Sequence, residues 1–341
     1  MIHSKRSAKS RLHSEEGSLV GINRKHLKLG MIMFIMLAGG FTSQSTGMAM
    51  RSDVRSDILI SREANTNSLY QKIQAYSEQS RIEPIDAKVD RIWKAIPGYN
   101  GLEVNIKASY KKMKASNDFD KNKVVYKEIS PNVHLEDLEP QPIYRGNPQK
   151  PMVALLINVA WGNEYIPEIL KILNKHQVKA TFFFDGSWVE KNPELAIMIN
   201  KENHEIGNHA YSHPDLKQRS MTDTIEELQK TNDVIKATLG KKPKWFAPPS
   251  GSFNQGTINI AHQLNMKTIL WTVDTVDWKK PAPAEMVRSV VTKVGNGSMV
   301  LMHPTMPVAV GLKDMISEIK AKGYQLGTVS DLMSEKRISL N

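Results

Sequence analysis

From residue 152 onward the sequence predicts an α/β fold, an irregular (β/α) barrel of about seven parallel strands, preceded by a small α+β region. Three observations carry that expectation. Short apolar runs recur between Met152 and Val329. Amphipathic stretches of helical length lie between several of them. The polar residues able to do chemistry, Asn158, Asp185, His209, Asp274 and His303, stand at the ends of the runs.

The runs in order are MVALLINVA (152–160), KATFFFD (179–185), HEIGNH (204–209), KWFAPP (244–249), TILWTVD (268–274), SMVLMH (298–303) and YQLGTV (324–329). Runs that are apolar throughout belong to a parallel sheet covered on its outer face, because alternation is lost when both faces are buried. The covering helices are expected at Tyr165 to His176, Pro193 to Glu202, Met221 to Leu239, Gly256 to Leu264, Pro283 to Val294 and Leu312 to Lys322. Ser220, three residues before Asp223, supplies the N-cap of the third. In folds of this kind the chemistry sits at the C-terminal ends of the strands.

Upstream, PQPIYRGNPQKP (140–151) is a proline-rich boundary, and the barrel domain is assigned to 151–335. Residues 82–150 form the small α+β region. There Val89, Ile92, Trp93 and Ile96 recur at helical spacing until Pro97–Gly98 ends the pattern. Leu102 to Ile106 alternates like a half-buried strand, and Ser109 to Lys114 suits a short helix. Residues 50–81 are polar and read as a linker or stalk. Within 1–49, Arg24, Lys25 and Lys28 precede the uncharged apolar run Leu29 to Phe41, the order of a secretory signal peptide or a retained membrane anchor. The basic flank places the N-terminus inside and the rest outside, so the protein is expected to be secreted or held at the outer face of the cytoplasmic membrane or in the cell wall.

The 341 residues carry a net charge of +11, 40% hydrophobic and 24% charged residues, and no cysteine. The absence of cysteine excludes disulfide scaffolds, thiol nucleophiles and Cys-ligated metals. The positive excess is spread thinly, with no basic patch interleaved with aromatics, which argues against nucleic acid and for an anionic wall or membrane surface.

Four short patterns stand out. His209 and His213 are four residues apart in HAYSH, a pair of imidazoles suited to zinc or a similar ion. Asp274 and Asp277 precede Trp278 in DTVDW, two carboxylates beside an indole that can carry a sugar ring. Leu301-Met-His303 ends a strand with an imidazole able to act as a general acid. Pro249-Ser250-Gly251, following Ala247-Pro248, is a stiff turn able to aim a backbone N–H at an oxyanion. Each also has an ordinary reading, as loop histidines, a solvated turn, a core histidine or simple turn chemistry.

In this order and spacing the patterns resemble the polysaccharide deacetylases with the NodB homology domain, carbohydrate esterase family 4, over nearly all of Pro151 to Met333. INVAWGNEY, KPKWFAPPSGSF and WTVDTVDW resemble more narrowly the YlxY-type sporulation branch of that family. The resemblance implies metal-assisted amide hydrolysis of N-acetylated glycans such as peptidoglycan or chitooligosaccharides. The family's five motifs fall in order on Leu156 to Ala160, His209 to His213, Ala247 to Gly251, Asp274 to Trp278 and Leu301 to His303. A divalent metal (zinc, cobalt or manganese) would be held by His209, His213 and a carboxylate from the first motif. A second first-motif carboxylate would act as base. Ser250 and its neighbours Pro249 and Gly251 would line the oxyanion site with Trp278 at the substrate, and His303, tuned by Asp274 or Asp277, would protonate the leaving amine.

The sequence departs from this pattern at three positions. Asn158 stands at the base, and an amide cannot take a proton at neutral pH. Val159 stands at the metal carboxylate and offers no ligand. Ala247 replaces the arginine that braces the base, a coherent loss because that arginine would be an unpaired buried charge. Three readings follow: a glycan-binding pseudoenzyme, an enzyme in which Asp185, Asp274 or Asp277 supplies the missing carboxylate, or a structural protein of the envelope or spore.

Overall fold

A computed structural model describes residues 68–338. The signal or anchor expected within 1–49 lies outside the described residues. Among those described, no helix is long and apolar enough to cross a membrane.

The chain enters through helix α1 (68–80), inside the stretch read as a linker. Its Leu69 and Ile73 are buried against Val104 and Met113, which is why this otherwise polar segment is held. Hairpin β1 (Lys88–Asp90) and β2 (Lys94–Ile96) follows, then β3 (Gly101–Val104), α2 (Ile106–Met113) and β4 (Tyr126–Ile129), with β3 and β4 antiparallel. The strand expected at Leu102 to Ile106 and the following short helix are present, each shifted by one to three residues. The helix expected over Val89 to Ile96 is not: that stretch is the β1–β2 hairpin. Asp90 Oδ1 accepts the N–H groups of Ile92 and Trp93, both at 2.8 Å, and Lys94 takes φ +58°. The aspartate thus organises a turn that overrides the apolar spacing.

The main body comprises β5 (Met152–Val159), α3 (Ile166–Lys175), β6 (Thr181–Phe184), α4 (Gly186–Lys191), α5 (Pro193–Lys201), β7 (Glu205–Asn208), α6 (Met221–Leu239), β8 (Trp245–Phe246), α7 (Gln255–Gln263) and β9 (Lys267–Thr268). It continues through β10 (Val273–Asp274), α8 (Pro283–Lys293), β11 (Ser298–Met302), α9 (Met306–Ala321), β12 (Gln325–Gly327) and α10 (Val329–Met333). The strands are parallel in the order β10-β11-β5-β6-β7-β8-β9, with β12 also on β5. Because β9 and β10 are consecutive in the chain and sit at the two ends of this order, the run TILWTVD closes the barrel by changing neighbour midway. Ile269 N–H donates to Phe246 on one side, and Thr272 N–H to Met299 on the other.

The alternation of β5 sets the layers. Met152, Ala154 and Leu156 point inward with Phe183, Trp245, Ile269 and Met299. Val153, Leu155, Ile157 and Val159 point outward under α3, α8 and α9. All eight residues of β5 are buried, as expected for a central parallel strand.

The small N-terminal region is joined to the barrel at its seam. Ile143 N–H donates to Thr268 O at 2.9 Å and Leu270 N–H to Ile143 O at 2.8 Å, while Ile143 bridges Lys94 of β2 on its other side. Below the level at which β11 pairs with β10, Ile143 therefore occupies the edge that the barrel strands leave open.

Candidate active site

A cavity of about 390 Å³ opens at the C-terminal ends of the strands. Its lining brings together Asn158, His209, His213, Ser250, Asp274, Trp278 and His303. Asn158 ends the inward face of β5, His209 follows β7, and His303 follows β11, so strand parallelism alone delivers these side chains to one end. Pro249 is buried within its turn, and Gly251 (φ +65°) backs onto Trp271; neither lines the cavity.

The His303 side of the site is fully wired. His303 Nδ1–H donates to Asp277 Oδ1 at 2.9 Å. Asp277 is wholly buried and also accepts the N–H of His303 (3.0 Å) and the hydroxyls of Thr305 (2.8 Å) and Thr275 (3.0 Å). Burial pushes the Asp277 carboxyl up, but the bonds from His303, Thr305 and Thr275 outweigh it and hold it below the usual carboxylate range. The carboxylate stays charged and fixes the His303 tautomer, presenting Nε2 to the cavity. Asp274 lines the cavity instead and accepts the N–H of Val276 at 2.7 Å, an arrangement that shapes the turn before Asp277.

His209 is similarly fixed. Its Nδ1 lies 2.7 Å from the carbonyl oxygen of Ala247, which can only accept, so the proton is on Nδ1 and Nε2 keeps its lone pair. Burial, with His213 nearby, holds its pKa down at about 3, so the ring is neutral. The third-motif strand end thereby orients the second-motif histidine.

The first-motif side is unwired. Asn158 is 3% exposed, and its Oδ1 is buried without a hydrogen-bond partner. Val159 is fully buried and packs outward beneath the helices, away from the cavity. Asp185, just past the neighbouring strand β6, accepts Trp188 N–H (2.9 Å) and Ser187 Oγ–H (2.7 Å) as the N-cap of α4, and it does not line the cavity. Burial raises its pKa despite those bonds. Two imidazoles without a third anionic ligand do not fit a resident divalent ion, and among the described residues no group of three His, Cys, Asp or Glu is placed to hold one.

Sequence reasoning missed two lining residues, Trp161 and Trp271. Trp161 stacks flat on His303, with ring centroids 5.8 Å apart and planes 10° apart. Its loop is pinned by Gly162, whose φ of +84° sets it against the Pro304 carbonyl, where a Cβ would lie 1.9 Å away. With Trp278, 53% exposed, three indoles line the cavity. The available signal was the aromatic residue directly after the first motif.

The family model for polysaccharide deacetylases matches residues 145–269. YlxY of Bacillus subtilis (strain 168) is 54% identical over 275 residues, 81% of this chain and 86% of the relative. The peptidoglycan-N-acetylmuramic acid deacetylase PdaA of the same organism is 31% identical over 202 residues, 58% of this chain and 77% of the relative. The crystal structure of BA3943 from Bacillus anthracis, described as a CE4 family pseudoenzyme, aligns with TM-score 0.75 at 51% identity, over 79% of this chain and 96% of that one. A BA3943 mutant described as having restored enzymatic activity aligns with the same TM-score at 50% identity, covering 79% and 99%.

Proposed function

The chain belongs to the polysaccharide deacetylase family, carbohydrate esterase family 4, and from that membership and the site geometry we propose that it binds an N-acetylated cell-wall glycan without hydrolysing it. One observation carries the reading: at the base of an indole-walled cavity, where hydrolysis needs a carboxylate, stands a buried amide with no partner for its oxygen. An amide offers one acceptor and a donor pair, the complement of an acetamido group. The indoles supply flat apolar faces for sugar rings. The hydrolytic requirements, a base and a ligated ion near it, are both weakened by Asn158 and Val159.

Several observations support this reading. PdaA acts, by its name, on peptidoglycan, which favours a wall glycan and an extracytoplasmic place of action. BA3943 is described as a pseudoenzyme, and one of its mutants as restored. The site residues of this chain are assigned accordingly: Asn158 to the acetamido group, Trp161, Trp271 and Trp278 to sugar rings, and His303 on Asp277 to a fixed polar contact. His209 and His213 form the rest of the floor, and Ser250 contributes from the third-motif turn.

Titration calorimetry of the full chain with chitooligosaccharides and peptidoglycan fragments, beside mass-spectrometric counting of acetyl groups with zinc, cobalt or manganese added, tests the reading. The expected result is binding with no acetyl loss. Metal-dependent acetyl loss by the wild-type chain would overturn it. In the triple variant Asn158→Asp, Val159→Asp, Ala247→Arg, zinc is expected to draw the new carboxylate at 159 out of the packing layer toward His209 and His213 and so to confer turnover. Without zinc the variant is expected to be several kcal/mol less stable, because Val159 lies in the packing layer, and zinc should raise its unfolding midpoint.

A further inference from the structure

The opposite end of the barrel, at the N-terminal ends of the strands, holds two adjoining cavities of about 650 Å³ and 220 Å³. Both are lined by Lys242, Lys244, Trp245 and Ser330, so they form one groove. It extends along Lys267 and Glu335 in one direction and to Lys241 and His204 in the other.

The charges in its lining fall into two kinds. Every carboxylate already has partners. Glu205 accepts bonds from Thr181 Oγ (2.6 Å), Trp245 Nε1 (3.0 Å), Ser330 N (3.1 Å) and the Ser330 hydroxyl. Glu136 pairs with Lys267 at 3.9 Å, and Glu335 with His134 at 2.9 Å. Lys241, Lys242 and Lys244, by contrast, form no ion pair or side-chain hydrogen bond among the described residues. His204, 5% exposed, accepts the Ala180 N–H on Nδ1 at 3.1 Å, which places the ring proton on Nε2, and that atom has no partner. Burial, then Lys179, hold this imidazole neutral with a pKa near 4. Apart from Asn265 and His262, which can donate or accept, the lining groups left for a ligand are therefore donors.

We propose that this groove binds an anionic polymer with phosphodiester groups of the polyol-phosphate kind. Lysines meet phosphate oxygens as point charges with no fixed orientation, which suits a flexible polyol-phosphate chain, and no arginine lines the groove to impose a bidentate register. The joined cavities and the close run Lys241, Lys242, Lys244 suit a repeating chain better than a single ion. Nucleic acid is disfavoured because the only indole, Trp245, is 7% exposed with its N–H taken by Glu205 and Ser330, leaving no open face for a base.

The test titrates the full chain with poly(glycerol phosphate) and with a single-stranded oligodeoxynucleotide of equal phosphate number, at two salt concentrations. Binding of the polyol phosphate is expected to weaken at least about 10-fold in Lys241→Gln, Lys242→Gln, Lys244→Gln, and to be retained in the corresponding triple arginine variant. Chitooligosaccharide affinity should be unchanged in both, while Trp278→Ala should weaken the oligosaccharide and leave the polyol phosphate bound. This separates the groove from the opposite site. No wild-type binding, or an unchanged glutamine variant, would overturn the assignment. An oligonucleotide bound as tightly as the polyol phosphate would replace it with nucleic acid.

Discussion

Two halves of one cavity face each other across the barrel mouth. On the β10–β11 side a buried carboxylate accepts four hydrogen bonds and fixes an imidazole. On the β5 side an amide oxygen has no partner, and the next residue is turned into the packing layer. The contrast separates two reasons for a polar residue to be present. Asp277 is required by its neighbours, since three residues would lose an acceptor without it. The Asn158 side-chain oxygen bonds to no protein group, which suits the ligand role proposed for it. A pocket can thus lack a carboxylate on one side without collapse, because the side that holds the backbone together is the other one.

The sharpest way to break this comparison is to remove each group in turn. Asp277→Ala leaves buried donors on Thr275, His303 and Thr305 and is expected to cost about 3–5 kcal/mol in urea unfolding. Asn158→Leu is expected to stay within about 1 kcal/mol of the wild type, or to gain stability, while losing glycan affinity. Equal costs for the two would erase the distinction.

Acid comes next. His209 and His204 are held neutral, with pKa values near 3 and 4. Between those values and the ordinary histidine pKa of about 6.5, the unfolded chain binds the protons, so stability rises with pH and falls on acidification. Lowering the pH from 6.5 to 5 is expected to cost up to about 2 kcal/mol for each ring. His209→Asn should remove about half of that slope, measured as urea midpoints at several pH values. A slope unchanged by the substitution would show that His209 is not buried in its neutral form.

The smallest expected effect concerns the indole between the two halves. Trp161→Ala should weaken chitooligosaccharide binding about 10-fold, and Trp161→Phe should recover part of it. The His303 ring protons should move downfield in the alanine variant as the stacked indole is removed. Binding unaffected by either substitution would leave Trp278 and Trp271 as the walls that matter.

Much of this was legible in the sequence. The barrel could be read because its strands are apolar on both faces, a pattern few other elements produce, and the His303 and Asp277 positions because their spacing within motifs is distinctive. Trp161 and Trp271 were not legible: a lone aromatic at a strand end has no period, and only the three-dimensional stack on His303 gives it meaning. The β1–β2 hairpin was misread because Val89, Ile92, Trp93 and Ile96 mimic a helix face, while the turn depends on one oxygen of Asp90. The packing of Leu69 and Ile73 was hidden by the polarity of the residues around them. The outward direction of Val159 could be anticipated from strand alternation, but the isolation of the Asn158 oxygen required knowing that nothing else reaches it.

The seam residue Ile143 bears on how fragments of this protein behave. The family model begins at residue 145, so a domain cut to that boundary would omit the segment that covers Thr268 and Leu270. Those backbone groups would become a vacant strand edge beside the barrel, a template on which a second copy can add a strand. Such fragments should self-associate with concentration where the longer chain does not, and the remedy is a start point before residue 82 rather than a change of buffer.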